Sequence, residues 1–285
     1  MAGAAGIGVV HLVWAPLGTA PLARFLAAYR QNPGGAEHRL AVMFNGFGSE
    51  AERAPFRSLL AGVPHQELSM PEPAQDIPAY LAAARALPCE FICFLNSYSE
   101  PLDAGWLAKL HRHASAPGVG LVGATGSWES FYSAARRPAE PPPRTLRPRG
   151  VAGWLVRTAG RGRADLALRR HFRPFPNPHV RSNGFMLARD LLLGLRARPI
   201  RTKRDAERFE SGRSGLTRQV LARGLRVLVV GRDGRGYLPA EWPESRTFRS
   251  GSQENLLIAD NRTAQYAQAD APMRALLRTL AWGRA

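Results

Sequence analysis

Short apolar runs separated by helix-period stretches fill the first 125 residues, and that alternation decides the fold class. Ile7 to Trp14, Leu40 to Phe44, Gln66 to Met70, Phe91 to Leu95 and Val119 to Gly123 read as strands. Several of them lack alternating polar positions, the mark of strands covered on both faces. Between them, Pro21 to Tyr29, Ala51 to Leu60, Asp76 to Leu87 and Leu102 to His113 carry apolar residues at helical spacing. Ile77, Tyr80, Leu81 and Ala84 make one such face, with Asp76 as the expected N-cap. Strands alternating with helices predict an α/β domain with a doubly wound, mostly parallel central sheet. Ligands of such sheets sit at the carboxyl ends of the strands. Here those ends are Trp14–Gly18, Asn45–Gly48, Pro71–Asp76, Asn96–Glu100 and Thr125–Glu129.

Beyond the fifth strand the pattern changes. From Arg136 to Arg181, 12 arginines stand against Glu140 and Asp165, among eight prolines. This predicts a basic Pro/Arg-rich insertion over 131–180. The whole chain carries a net charge of +17, and Lys109 and Lys203 are its only lysines. Arginine grips phosphate bidentately, so the charge points to an anionic partner: a sugar nucleotide, a lipid phosphate, an anionic glycan, a membrane surface or a nucleic acid. A solvated basic face is the plain alternative. After the insertion, Arg181 to Ala188 and Leu225 to Val230 read as strands, and Asp190 to Leu195 and Thr217 to Arg223 as helices. Ala271 to Trp282 reads as an amphipathic tail helix with Met273, Leu276, Leu277 and Leu280 on one side.

Composition excludes several classes. An apolar share of 45% and a charged share of 21% are ordinary globular values, so wholesale disorder is ruled out. No apolar run is long enough for a spanning helix. Cys89 and Cys93 are too few for a disulfide framework and read as core thiols in a reducing cytoplasm. The glycines of Gly120-Leu-Val-Gly123-Ala-Thr-Gly126 read as a tight strand-end loop rather than a dinucleotide turn. Trp128, Phe131 and Tyr132 are candidates either for stacking on sugar rings or for packing the base of the insertion. Glu241 to Tyr266 reads as an extension folding back over the site, with Arg246 or Arg249 available to phosphate, or else as a structural brace.

Three segments in order carry a resemblance: Asp76-Ile-Pro-Ala-Tyr-Leu-Ala-Ala-Ala-Arg85, Phe91-Ile-Cys-Phe-Leu-Asn96-Ser-Tyr-Ser-Glu100 and Trp106-Leu-Ala-Lys-Leu110. Together they resemble the nucleotide-binding half of GT-A glycosyltransferases of the family-two-like group. Arg181-Ser-Asn-Gly-Phe-Met-Leu-Ala-Arg189-Asp190 and the helix–Gly–strand unit from Leu216 to Val230 resemble that family's second half. The resemblance covers roughly residues 7–237, with 7–130 as the nucleotide-sugar half, 181–237 as the acceptor half and 238–285 as a C-terminal extension. It implies a cytoplasmic enzyme, or one at the inner face of the membrane. That enzyme would move a sugar from a nucleotide-sugar donor to a glycan, surface-polysaccharide or lipid-linked acceptor, with inversion.

Donor binding would fall to Pro16, Asn45, Asp76, Asn96, Ser97, Ser99 and Arg181, with Glu210 as the catalytic base. The family holds a divalent metal with an Asp-x-Asp turn, whereas this chain has Asn96-Ser97-Tyr98-Ser99-Glu100. Neutral oxygens bind Mg²⁺ or Mn²⁺ weakly, so no metal ligand is assigned. Either Glu100 and Asp103 compensate, or arginines neutralise the diphosphate. Two other functions stay open: a non-catalytic GT-A-like module binding nucleotide or glycan, and an arginine-rich nucleic-acid binder, which lacks any recognised motif.

Overall fold

The computed structural model describes residues 6–135 and 168–283, so most of the basic insertion expected over 131–180 lies outside the described residues. The predicted alternation is present. Strands β1 (Ile7–Trp14), β2 (His38–Asn45), β3 (Gln66–Ser69), β4 (Phe91–Leu95) and β6 (Val119–Gly123) alternate with helices α1 (Ala20–Gln31), α2 (Glu50–Leu60), α3 (Asp76–Ala86) and α4 (Trp106–Ala114). A two-residue strand β5 (Glu100–Pro101) precedes α4. After β6 come β7 (Gly126–Ser127), α5 (Phe131–Ala135), β8 (His179–Val180), β9 (Phe185–Ala188), α6 (Arg189–Leu193), α7 (Lys203–Ser211), α8 (Leu216–Leu221), β10 (Arg226–Val230) and β11 (Gly236–Tyr237). β12 (Ile258–Ala259), α9 (Asn261–Gln268) and α10 (Ala271–Trp282) complete the described chain.

Eight strands form the central sheet in the order β11-β10-β6-β9-β4-β1-β2-β3. The β4–β1–β2–β3 ladders and the β10–β6 ladder are parallel. β9 runs antiparallel to both β4 and β6, and β11 runs antiparallel to β10. The sheet is therefore mostly parallel and doubly wound, as the sequence predicts. Both faces are covered, and the pleat divides each strand's side chains between them. In β1, Val10 and Leu12 join Tyr80 and Ala84 of α3, Phe209 of α7 and Val220 of α8 on one face. Val9 and Val13 join Phe25 of α1, Phe56 of α2 and Trp106 of α4 on the other.

The chain moves from β1 outward to β3 and then returns to place β4 on the far side of β1. That reversal opens a crevice above the carboxyl ends of β1 and β4, where open α/β sheets bind ligands. The antiparallel strand matters here. Because β9 runs backwards, its amino-terminal approach, Arg181 to Gly184, lies at the same edge as the carboxyl ends of β4 and β6.

The C-terminal extension belongs to the same core. Trp242, Phe248 and Trp282 are buried in the cluster that holds α3 and α8. Tail helix α10 buries Leu277, Ala281 and Trp282, whereas Met273 and Leu276, expected on its inner face, are among the most exposed apolar residues. The inner face is thus rotated from the sequence reading, because Trp282 anchors it by donating its indole N–H to the Phe248 carbonyl at 2.8 Å. Among the described residues no helix is long and apolar enough to cross a membrane.

Candidate active site

A cavity of about 610 Å³ opens where the sheet reversal places it. Trp14 and Leu17 follow β1, Asn96 to Tyr98 follow β4, and Gln75 and Asp76 begin α3. Arg181 and Ser182 arrive from β9's approach, Lys203 and Glu210 from α7, and Phe248, Arg249, Asn261 and Arg262 from the extension. Of the residues expected from the sequence, Asp76, Asn96, Ser97, Arg181 and Glu210 meet at this cavity.

Pro16, Asn45 and Ser99 do not line it. Pro16 sits on the exposed rim turn after β1. Asn45 is buried and turns away into a clasp: its amide donates to the Ala74 carbonyl at 2.8 Å and accepts the Ala74 N–H at 3.0 Å. That clasp fixes the Ala74–Asp76 approach to α3. Ser99 is also buried, its hydroxyl bonded to the side chain of Asn183 and lying 3.3 Å from Asn96 Oδ1. It shapes the Asn96 turn from below. Asp76, expected as an N-cap, is the first helical residue instead. Gln75 holds the cap position without a side-chain bond, which leaves the Asp76 carboxyl at the cavity.

The electrostatics are mixed but lean positive. Arg181, Lys203, Arg249 and Arg262 face Asp76, Glu129 and Glu210 around the cavity. The Asp76 carboxyl reaches cavity solvent, yet it lies in a recess walled by protein. Crowding by those walls, and then the charge of Glu210, push its pKa up to about 6. Glu210 lies in α7, next to the helix's last residue and ahead of α8. Its Oε1 accepts the Ser182 N–H at 2.5 Å, which pins the carboxylate beside β9's approach. His179 is buried at the same wall. Its Nδ1 donates to the Asn177 carbonyl at 2.9 Å, and burial holds its pKa below the usual histidine value despite Glu210 nearby.

Two arginines are set from behind. Arg181 lies 2.8 Å from the Asp260 carboxylate and 4.4 Å over the Phe248 ring. Burial opposes ionisation of Asp260, but Arg181 and the N–H groups of Thr263 and Arg262 outweigh it and hold the carboxyl below its ordinary range. Arg249 is 5% exposed and reaches Glu129 only at 3.6 Å, while its Nε is buried without a hydrogen-bond partner. Burial lowers its pKa to about 10. Its backbone is left-handed at φ 45°, between Arg246 at 55° and Gln253 at 58°. Each such non-glycine residue costs about 1 kcal/mol or more. The Gln253 side chain holds the turn by accepting the Arg249 N–H at 3.0 Å and donating to the Thr263 carbonyl at 3.0 Å. The strained turn delivers Arg249 to the cavity. Arg246 instead stands exposed and pairs with Glu254.

The residues present do not fit a divalent metal. Asn96 Oδ1 already accepts the Tyr98 N–H at 2.9 Å. Glu100 turns to Arg24 at 3.1 Å, and Asp103 pairs with Lys109, so neither compensates for the missing aspartates. Among the described residues no group of three or more His, Cys, Asp or Glu is placed to hold an ion. The glycine run has a packing cause. An added Cβ would lie 2.6 Å from Val220 at Gly120, 2.4 Å from Val180 at Gly123 and 2.6 Å from Trp242 at Gly126. Trp128 likewise packs between Phe175 and Trp282 and donates to the Pro239 carbonyl at 2.9 Å, so it is structural rather than sugar-facing.

No family model and no curated sequence matches this chain. Solved structures do. A mannosyltransferase from Pyrobaculum calidifontis, solved with GDP-Man and Mn²⁺, is 11% identical with a TM-score of 0.45 over 85% of this chain and 59% of that one. Glucosyl-3-phosphoglycerate synthase from Mycobacterium tuberculosis, solved with Mn²⁺, UDP and phosphoglyceric acid, is 16% identical with a TM-score of 0.36 over 65% of this chain and 56% of that one. The chain thus spans less than two thirds of the length of either protein it is similar to.

Proposed function

We propose that the large cavity binds a nucleotide-sugar donor and passes its sugar, with inversion, to a glycan, surface-polysaccharide or lipid-linked acceptor. The observation that carries this reading is the convergence of Asp76, Asn96, Ser97, Arg181, Arg249 and Glu210 on one crevice at the sheet's reversal point. In this reading Asp76 meets the nucleoside, and Asn96 and Ser97 hold the diphosphate–sugar junction. Arg181, Arg249 and Arg262 stand near the diphosphate and offset the charge that grows on it as it leaves. Glu210 takes the acceptor hydroxyl proton while that oxygen forms a bond to the anomeric carbon. The carbon–phosphate-oxygen bond breaks, and the nucleoside diphosphate departs with the electron pair. Met273 and Leu276, exposed on α10, offer a contact for the cytoplasmic face of a membrane carrying a lipid-linked acceptor.

Substituting Glu210→Gln should cut transfer by roughly a hundredfold or more while nucleotide affinity stays near that of the parent chain. Steady-state transfer and nucleotide titration measure the two effects. Unchanged turnover removes Glu210 from the base role. The departed aspartate pair favours a second reading, a binding module without catalysis. That reading expects nucleotide-sugar binding with neither transfer nor donor hydrolysis, with or without Mn²⁺.

A further inference from the structure

A second cavity of about 230 Å³ lies apart from the first and has an unusual wall. Arg170, Arg196, Arg198, Arg208 and Arg213 line it with His171, and Asp205 is its only acid among the described residues. The two cavities share a helix: α7 gives Lys203 and Glu210 to the first and Asp205, Arg208 and Phe209 to the second. Asp205 does little to neutralise the wall. One carboxylate oxygen caps α7 by accepting from the Thr202 hydroxyl at 2.7 Å, and the other reaches Arg208 at 3.2 Å. Arg170, Arg196 and Arg198 have no acidic partner among the described residues, and the Arg208 Nε is buried without a hydrogen bond. Burial, then Arg208, Arg170 and Arg198, hold the His171 pKa below its usual value, so these three guanidiniums crowd one imidazole.

A solvated basic face spreads its charges; this wall gathers them around a concavity. Concave walls focus the field, and guanidinium groups present paired donors that match phosphate oxygens. The gathering is also held in place. Gln219 brackets Arg196 through that residue's backbone N–H and carbonyl at 2.8 and 3.0 Å, and Arg213 Nε donates to the Arg169 carbonyl at 2.9 Å. Phe209 and Ile200 supply the apolar part of the lining and join it to the core. Phosphate-bearing ligands also suit the sequence's arginine excess, which the first cavity does not absorb.

We infer that this second cavity is a binding site for a compact, multiply charged phosphate group, separate from the donor cavity. The shared chemistry has two sources, a soluble diphosphate and a lipid headgroup.

Calorimetric titration of the full chain with inorganic pyrophosphate tests the site. Arg170 and Arg198 are exposed and make no side-chain hydrogen bond or ion pair among the described residues, so R170Q/R198Q should keep the parent's melting point. The parent should show a class of sites that R170Q/R198Q weakens roughly tenfold or more and that Arg249→Gln leaves in place. Co-sedimentation with phosphatidylcholine vesicles containing phosphatidic acid separates the sources. Binding lost in R170Q/R198Q and competed by pyrophosphate assigns the headgroup, while pyrophosphate binding without sedimentation assigns the soluble ligand. An isotherm unchanged in R170Q/R198Q overturns the site. So does a class lost on Arg249→Gln, or a chain that binds duplex DNA through these arginines but not pyrophosphate.

Discussion

His11 sits in the middle of β1, fully buried, with its ring stacked on Phe25 at 3.8 Å and both ring nitrogens without hydrogen bonds. Burial drives its pKa down to about 3 from 6.5. Between those values the unfolded chain takes up a proton that the folded chain refuses, so His11 weakens the fold as pH falls through that window. Replacing it by an apolar ring of similar shape removes both the orphaned nitrogens and the titration. His11→Phe is therefore expected to stay within about 1 kcal/mol of the parent at pH 7 and to move acid unfolding to lower pH. Circular dichroism along an acid titration reads the midpoint; an unmoved midpoint contradicts the assignment.

Asp76 behaves in the opposite sense. Its pKa is raised from 3.8 to about 6, so within that interval the folded chain keeps a proton the unfolded chain has released. Stability falls as pH rises through the interval, and the full penalty stands above it. Because cavity water screens the exposed carboxyl, Asp76→Asn should gain only about 1 kcal/mol at pH 7 and nothing below about pH 4. Denaturant melts at both pH values check this, and an equal gain at both would sink the electrostatic account.

Elements decide which residues reach the site. The Asn45 clasp at the end of β2 holds the approach to α3 with two hydrogen bonds to Ala74. Asn45→Ala should cost about 2 kcal/mol and raise the donor KM more than it lowers kcat, since it loosens a binding wall and spares Glu210. A variant with parental stability and KM would show that the clasp is idle. The sequence made β1, β4, β6 and α10 legible to the residue, because each is a strong apolar pattern bounded by turn residues. It also placed Arg181 at the head of a strand, but strand direction leaves no mark on a four-residue apolar run such as Phe185–Ala188. Only the reversed direction of β9 brings Arg181 to the cavity. Helix α7 was missed because Ala206 and Phe209 are its only apolar residues among nine. Its start was nonetheless written in Thr202-Lys-Arg-Asp205, a capping box that the structure forms.

At the scale of the whole molecule, the extension lines the candidate cavity as well as bracing the core. β12 pairs with β5, tying the extension to the segment after the Asn96 turn. Asp260 then caps α9 through the Arg262 and Thr263 N–H groups and holds Arg181. Phe248, Arg249 and Arg262 close the cavity from the same segment. The sequence showed this stretch as polar groups mixed with Trp242, Phe248 and Tyr266, without periodicity to say where it folds. Long-range pairing set its place: the buried rings enter the core, and the left-handed turn at Arg249 follows from the anchors on either side. Arg181, Arg249 and Arg262 line the cavity that the Asn96 turn borders, and in the proposed reading they stand in for the carboxylates and metal that the resemblance implies.

That substitution is tested most directly by thermal unfolding with a panel of nucleotide sugars in the presence of a chelator, comparing the parent with Arg249→Gln. At about a hundredfold excess over Kd, a true donor stabilises the fold by about 2.7 kcal/mol. The account expects at least one nucleotide sugar to raise the parent's melting point by roughly 5 °C without metal, and Arg249→Gln to lose most of that rise. A panel that shifts neither protein, with chelator or with Mn²⁺, would contradict it.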